Sequence, residues 1–187
     1  MLDYTSEMTR LIADIAARCP EFAHVDVSRI LISFSHARVS GPSGQFAKIA
    51  PMRFRDGKRS ITIRNRRYTM PRLQHKGRDV LYVIYFCMPK FQNLPFRDKL
   101  ITVFHELYHV SPEFNGDIRR FSGRNYAHGP SRQKYNEAVS ALADRYLAQA
   151  GDSPVLEFLR MDFTELQQRY GEIVGLKVTH PKPQPSP

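Results

Sequence analysis

Five consecutive residues, His105-Glu106-Leu107-Tyr108-His109, form the pattern H-E-x-x-H. On a helix, side chains four positions apart lie on the same face, so the two imidazoles can converge on one metal ion. The carboxylate of Glu106 then lies beside the open coordination position, where it can take a proton from a water molecule. The pattern therefore predicts a zinc site whose general base is Glu106.

A catalytic zinc takes three protein ligands, and two residues compete for the third place. His128 lies in a predicted loop, within His128-Gly129-Pro130, and Glu137 lies on the helix that follows. Glu137 is about 200° around that helix from Tyr135, a member of its apolar stripe, and so points away from the packed face. We favour His128, whose loop can fold over the cleft, and keep Glu137 as the alternative.

The reaction also needs groups beyond the ligands and the base. If the water attacks a carbonyl group, the oxyanion that forms requires a hydrogen-bond donor besides the metal. Four residues are near enough in sequence to be candidates, and nothing selects among them: Tyr126, Tyr135, Arg119 and Arg124. Asp117 is a candidate for orienting a ligand histidine through its second ring nitrogen. The segment Asn115-Gly116-Asp117 is, however, more typical of a simple turn.

Positive charge is concentrated in one part of the chain. The formal net charge is +10, and the segment from Arg53 to Arg78 has ten Lys or Arg residues against the single acid Asp56. Such a cluster can attract DNA or another polyanion, and its central members are candidates for that contact: Arg64, Arg66, Arg67 and Arg72. The alternative is a solvated basic face.

Length and composition favour a single soluble domain. A chain of 187 residues with 42% hydrophobic residues can form one ordinary core. The two cysteines, Cys19 and Cys87, form no Cys-x-x-Cys pair, so any metal must be held by His and carboxylate. They fit a reducing compartment, and we expect a cytoplasmic protein without a signal or membrane-spanning segment. We assign residues 1–176 to one domain and expect a disordered, Pro-rich tail over 177–187.

The spacing of apolar residues predicts an α+β fold that places the motif on a helix. We expect an N-terminal helix over 5–18, capped by Thr5 or Ser6, a helix over 95–110, and two short helices over 154–160 and 163–170. A helix over 132–150 is expected to be capped by Ser131 and ended by Gly151. Strands are expected over 29–36, 47–54, 60–65 and 79–88, forming a small mixed or antiparallel sheet. The segment 79–88 is apolar at nearly every position, which is typical of a strand covered on both faces.

The motif together with its flanking residues resembles the SprT-like metalloproteases. The resemblance rests on H-E-L-Y-H, then a loop, then His128-Gly129-Pro130 opening a helix that bears Tyr135. It extends to a group of bacterial and phage metallopeptidases and covers approximately residues 79–150. It implies a minimal zincin-like domain, zinc held by three histidines, peptide-bond hydrolysis and, in some members, action on DNA-bound proteins. The four-cysteine zinc ribbon of some members is absent.

These observations predict a zinc-dependent metallopeptidase that acts on a protein or peptide substrate. The alternative is a basic, nucleic-acid-binding protein whose metal site is structural or vestigial, and the segment from Arg53 to Arg78 motivates it. A strand beside the cleft, for which residues 60–65 are the candidate, could bind an extended substrate by edge pairing.

Overall fold

The computed structural model describes residues 1–36, 45–121, 127 and 131–186. Its strands are β1 (Leu2–Asp3), β2 (Ile30–His36), β3 (Ala47–Pro51), β4 (Ser60–Ile63), β5 (Arg66–Thr69), β6 (Gln74–His75), β7 (Arg78–Asp79), β8 (Tyr82–Met88), β9 (Ile173–Val174) and β10 (Gln184–Ser186). Its helices are α1 (Tyr4–Arg18), α2 (Phe96–Tyr108), α3 (Arg132–Ala150), α4 (Glu157–Arg160) and α5 (Phe163–Tyr170). This arrangement confirms the predicted α+β class.

The central strand β8 organises a mixed three-stranded sheet. It pairs in parallel with β2 on one side and antiparallel with β3 on the other. Successive β8 side chains enter different clusters: Ile84 and Phe86 join the helices in the main core, whereas Val83 and Tyr85 join a second core on the opposite face. Both faces are therefore covered, which explains why β8 is apolar throughout.

Local capping explains where α1 begins and where α3 begins and ends. Asp3 caps α1 by accepting a hydrogen bond from the Ser6 backbone N–H at 3.1 Å, so the predicted cap at Thr5 or Ser6 was wrong. Ser131 caps α3 in the same way through the Lys134 N–H at 3.2 Å, and Gly151 ends α3 with φ 54°, as the sequence predicted. None of the described helices has the length and apolarity that crossing a bilayer would take.

The basic segment forms a hairpin that the sequence did not predict. A turn at Arg64 and Asn65 joins β4 to β5, and both residues have positive φ, 49° and 59°. Such a two-residue turn matches the twist of antiparallel strands. The strand predicted over 47–54 pairs instead with β8, so it and β4 belong to different sheets.

The structure describes the C-terminal segment as far as residue 186, and part of this segment pairs with a distant strand. Val178 donates its N–H to the Ser33 hydroxyl at 2.9 Å, and β10 adds to the free edge of β5. Hydroxyls of Ser60, Thr69 and Ser186 form a chain of hydrogen bonds across the three strands, at 2.8 and 2.9 Å. The conformation of residues 184–186 thus depends on strand pairing with a distant part of the chain.

Tyr82 at the start of β8 holds the loop that follows α2, and this contact can be tested. Its buried hydroxyl donates to the Asp117 carbonyl at 2.8 Å and accepts from the Gly116 N–H at 3.0 Å. Burial raises the pKa of Tyr82 to about 12. We expect Tyr82→Phe to lower the free energy of unfolding by about 1–3 kcal/mol, measured by urea denaturation, because both partners lose their hydrogen bond.

Tyr85→Phe is the matched control, since Tyr85 lies on the same strand and also has a buried ring. Its hydroxyl makes only a long contact of 3.4 Å with the Thr179 carbonyl, so we expect a loss below about 1 kcal/mol. Equal losses in the two variants would show that the Tyr82 hydroxyl does not hold the loop.

Candidate active site

The motif histidines converge as the helix spacing predicted. His105 lies on α2, and His109 follows its last residue with helical angles of φ −72° and ψ −17°. Their Nε2 atoms are 3.2 Å apart. Two nitrogen ligands of one tetrahedral zinc, each bonded at about 2.0–2.1 Å, are about 3.3 Å apart. The donor type and the separation of the pair therefore fit a shared metal ion.

Glu106 is buried between α2 and the sheet. Its side chain is only 6% exposed, and burial raises its pKa to about 7. The backbone N–H of Ile49 on β3 donates to the carboxylate and lowers the pKa again, although burial outweighs it. A carboxyl group with a pKa near neutrality is suited to accept and return a proton during a reaction.

An open cleft of about 650 Å³ runs between α2 and β3 and contains the motif. Its described lining residues are Gln45, Phe46, Ala47, Lys48, Ile49, Pro51, Ile101, Thr102, His105, Glu106, His109, Ile118, Ala127 and Arg132. The strand beside the cleft is β3, so the expectation that residues 60–65 would fill this place was wrong. Pro51 was the available signal, because proline in a sheet is typical of an edge strand.

Tyr135 on α3 packs its ring against the rings of both motif histidines. Its ring is 5.0 Å from the His105 ring and is stacked 5.5 Å from the His109 ring. Its hydroxyl lies 3.3 Å from the His105 carbonyl oxygen, to which it donates. The residue is buried, and burial raises the pKa of its phenol. These contacts fit a residue that positions the imidazoles.

The loop after α2 is held against the end of that helix. Arg119 donates from Nε to the Tyr108 carbonyl at 2.9 Å, and its guanidinium lies 4.4 Å from the centre of the Tyr108 ring. Asp117, which the sequence suggested as a partner for a ligand histidine, accepts from Arg120 Nε at 2.8 Å and from the Ile118 N–H at 2.8 Å. Both side chains therefore make contacts that organise the loop.

The two candidates for the third ligand differ in what the structure describes. His128 and Tyr126 lie outside the described residues, as does Arg124, but Ala127 beside His128 lines the cleft. Glu137 is exposed, accepts a hydrogen bond from Gln133 at 2.9 Å and lines a separate cavity on the outer face of α3. Within the described part of the chain, no group of three potential metal-binding side chains occurs.

The four candidate polyanion-binding arginines all lie on the surface. Arg64, Arg66 and Arg67 project from the β4–β5 hairpin, and among the described residues no carboxylate lies within 4 Å of them. Arg72 differs, because its Nε pairs with Asp79 at 2.8 Å.

A comparison with protein families agrees with this geometry. The family model described as "Putative phage metallopeptidase" matches residues 4–179, far more of the chain than the motif region. The match confirms the metallopeptidase part of the resemblance and does not extend to the SprT-like assignment. No curated protein and no solved structure matches the chain.

Gly116 in the loop behind the site is required by both its backbone angle and its surroundings. Its φ is +89°, and a Cβ atom there would lie 2.5 Å from Arg53 Cγ and 3.2 Å from Leu81 Cδ2. We expect Gly116→Ala to lower the free energy of unfolding by about 1–2 kcal/mol for the positive φ and about 1–3 kcal/mol more for the crowding, measured by urea denaturation.

Gly77→Ala separates the two effects. Gly77 has a similar φ of +75°, but nothing lies within 4 Å of its added Cβ, so only the backbone cost applies. If the two alanine variants were equally stable, crowding by Arg53 and Leu81 would play no part.

Proposed function

Because this chain belongs to the phage metallopeptidase family, we propose that it is a zinc-dependent peptidase whose general base is Glu106. The observation that carries the proposal is the 3.2 Å separation of the His105 and His109 Nε2 atoms beside the buried carboxylate of Glu106. Two imidazoles that converge beside a proton acceptor are what hydrolysis assisted by a metal ion requires.

We propose that His105 and His109 hold the zinc together with His128. Ala127, which precedes His128 in the sequence, lines the cleft, and this supports the choice of His128. Glu137 is a weaker candidate for the third ligand, because it is exposed and lines a different cavity. The chemistry that zinc supplies when bound is Lewis-acid polarisation of the attacking water and of the scissile carbonyl.

The protein residues handle the protons and the substrate chain. Glu106 removes a proton from the water whose oxygen attacks the carbonyl carbon, and it then donates that proton to the amide nitrogen as the C–N bond breaks. Ile49 holds the carboxylate in place through its backbone N–H. Along the outward-facing edge of β3, the Ile49 N–H is held by Glu106 and Pro51 has no N–H, so an extended peptide in the cleft would pair there mainly by donating its own N–H groups to the carbonyl groups of the strand.

Glu106→Gln tests the base, because the amide keeps the shape of the side chain but cannot accept the proton. We expect peptide hydrolysis to fall by about 10²–10⁴-fold while the protein still binds one zinc, measured with a fluorogenic peptide mixture and by metal analysis. Glu137→Gln makes the same chemical change on the exposed face of α3 and should keep full activity. Hydrolysis by Glu106→Gln at the wild-type rate would refute the assignment.

The ligands are tested by zinc binding alone, which does not depend on activity. We expect His105→Ala, His109→Ala and His128→Ala to lose stoichiometric zinc, and Glu137→Ala to keep it. Loss of zinc from Glu137→Ala with retention by His128→Ala would reverse the choice of third ligand. A wild-type protein that takes up no zinc would refute the metal site.

A second candidate function is nucleic-acid binding through the β4–β5 hairpin. It is favoured by the exposure of Arg64, Arg66 and Arg67 with no carboxylate within 4 Å among the described residues. Clustered cations without partners repel one another and gain free energy from a polyanion.

The hairpin is tested by replacing Arg64, Arg66 and Arg67 together with Gln. We expect weaker binding to a labelled single-stranded oligonucleotide, and a slope of log affinity against log salt that is smaller by about 2, measured by fluorescence anisotropy. The control replaces Arg10, Arg97 and Arg169, which are paired with acids elsewhere on the surface, and removes the same charge. Equal losses in both triple variants would attribute binding to net charge alone.

A further inference from the structure

The cleft has an uneven balance of charge. Among its described lining residues, Glu106 is the acid, and it is buried and used as the base in the proposed function. Lys48 and Arg132 are the cations. The charged groups available to a substrate at the rim are therefore positive, and a zinc ion would add to that charge.

The two cations differ in how free they are to meet a ligand. The Lys48 ammonium lies 5.0 Å from the centre of the Tyr85 ring, on the sheet face that carries the second core. Arg132 is exposed at the first position of α3, and among the described residues no carboxylate lies within 4 Å of its guanidinium. The first turn of α3 has no acidic residue to neutralise it. Arg132 is therefore the cation that a substrate would meet.

Arg132 also lies where the cleft ends. It lines the active-site cleft together with His105 and His109, and it lines the neighbouring cavity on the outer face of α3. A peptide that leaves the cleft in this direction would pass Arg132. The planar guanidinium fork matches the two oxygens of a carboxylate.

We propose that Arg132 is a specificity-determining residue that binds a carboxylate of the substrate, so that the cleft prefers anionic peptides. This inference rests on the proposed peptidase function and names the substrate class of that same site. The rest of the wall contains Ile49, Ile101 and Ile118, which suit an apolar residue next to the carboxylate. The carboxylate has two sources, an acidic side chain or the C-terminus of the peptide.

The test uses labelled peptides of one length with a fixed apolar centre. Each peptide has one variable position, placed either before or after the apolar centre and occupied by Glu, Gln or Lys. Each peptide is made with a free and with an amidated C-terminus. Binding to zinc-loaded Glu106→Gln is measured by fluorescence anisotropy, and kcat and KM are measured for the otherwise unchanged enzyme. Arg132→Gln is compared in both settings with Lys134→Gln, which removes the same charge from the same helical turn but does not line the cleft.

We expect the Glu peptide to bind about fivefold more tightly than the Lys peptide, as for an exposed ion pair of up to about 1 kcal/mol. Arg132→Gln should bring this ratio to near one and act mainly on KM, while Lys134→Gln should retain it. Circular dichroism verifies that both variants are folded. If amidation of the C-terminus weakens binding and the Glu-to-Lys change does not, and Arg132→Gln abolishes the effect of amidation, the bound carboxylate is the peptide C-terminus.

The proposal is overturned if binding depends neither on the Glu-to-Lys change nor on a free C-terminus, or if Arg132→Gln keeps the dependence of the wild type. The binding arm gives this answer even if no peptide is cleaved. Failure of the peptidase function would appear separately, as equal turnover by wild type and Glu106→Gln.

Discussion

A buried carboxylate at the edge of a sheet is the constraint around which the site is arranged. Glu106 is held between α2 and β3, where its loss of contact with water is partly offset by the Ile49 N–H. This N–H is available because β3 is an edge strand. One side of β3 is hydrogen-bonded to β8, and the Ile49 N–H lies on the other side. The pKa of the carboxyl group therefore depends on strand order as well as on the motif.

The same constraint explains why the helices pack as they do. With Glu106 turned towards the sheet, His105 and His109 occupy the part of α2 that faces the cleft, and Tyr135 on α3 fills the space beside both rings. Arg119 and the loop after α2 hold the end of the helix. Each of these contacts limits the rotation of an imidazole or of the helix that carries it, which keeps the donor atoms close together.

Local features of the fold could be predicted from sequence, and features that depend on distant pairing could not. The caps and apolar spacing of α3 and the continuous apolar run of β8 are set by neighbouring residues, and both predictions were confirmed. Three other features depend on which strands pair with one another: the identity of the strand beside the cleft, the β4–β5 hairpin and the β10 strand. Arg132 was missed because nothing in its sequence surroundings indicates that it faces a cavity.

The alternating prolines of the C-terminal segment have a consequence for association between molecules. The backbone N–H and C=O groups of Thr69 and Arg67 face β10, because those of the neighbouring β5 residues are bonded to β4. The backbone groups of Gln184 and Ser186 therefore face β5, and those of Pro185 face away from the sheet. Proline has no N–H, so the outer side of β10 offers no donor at its centre. A strand from another molecule would find an incomplete template there. Pro185 thereby limits pairing of this edge of the sheet with a strand of another molecule.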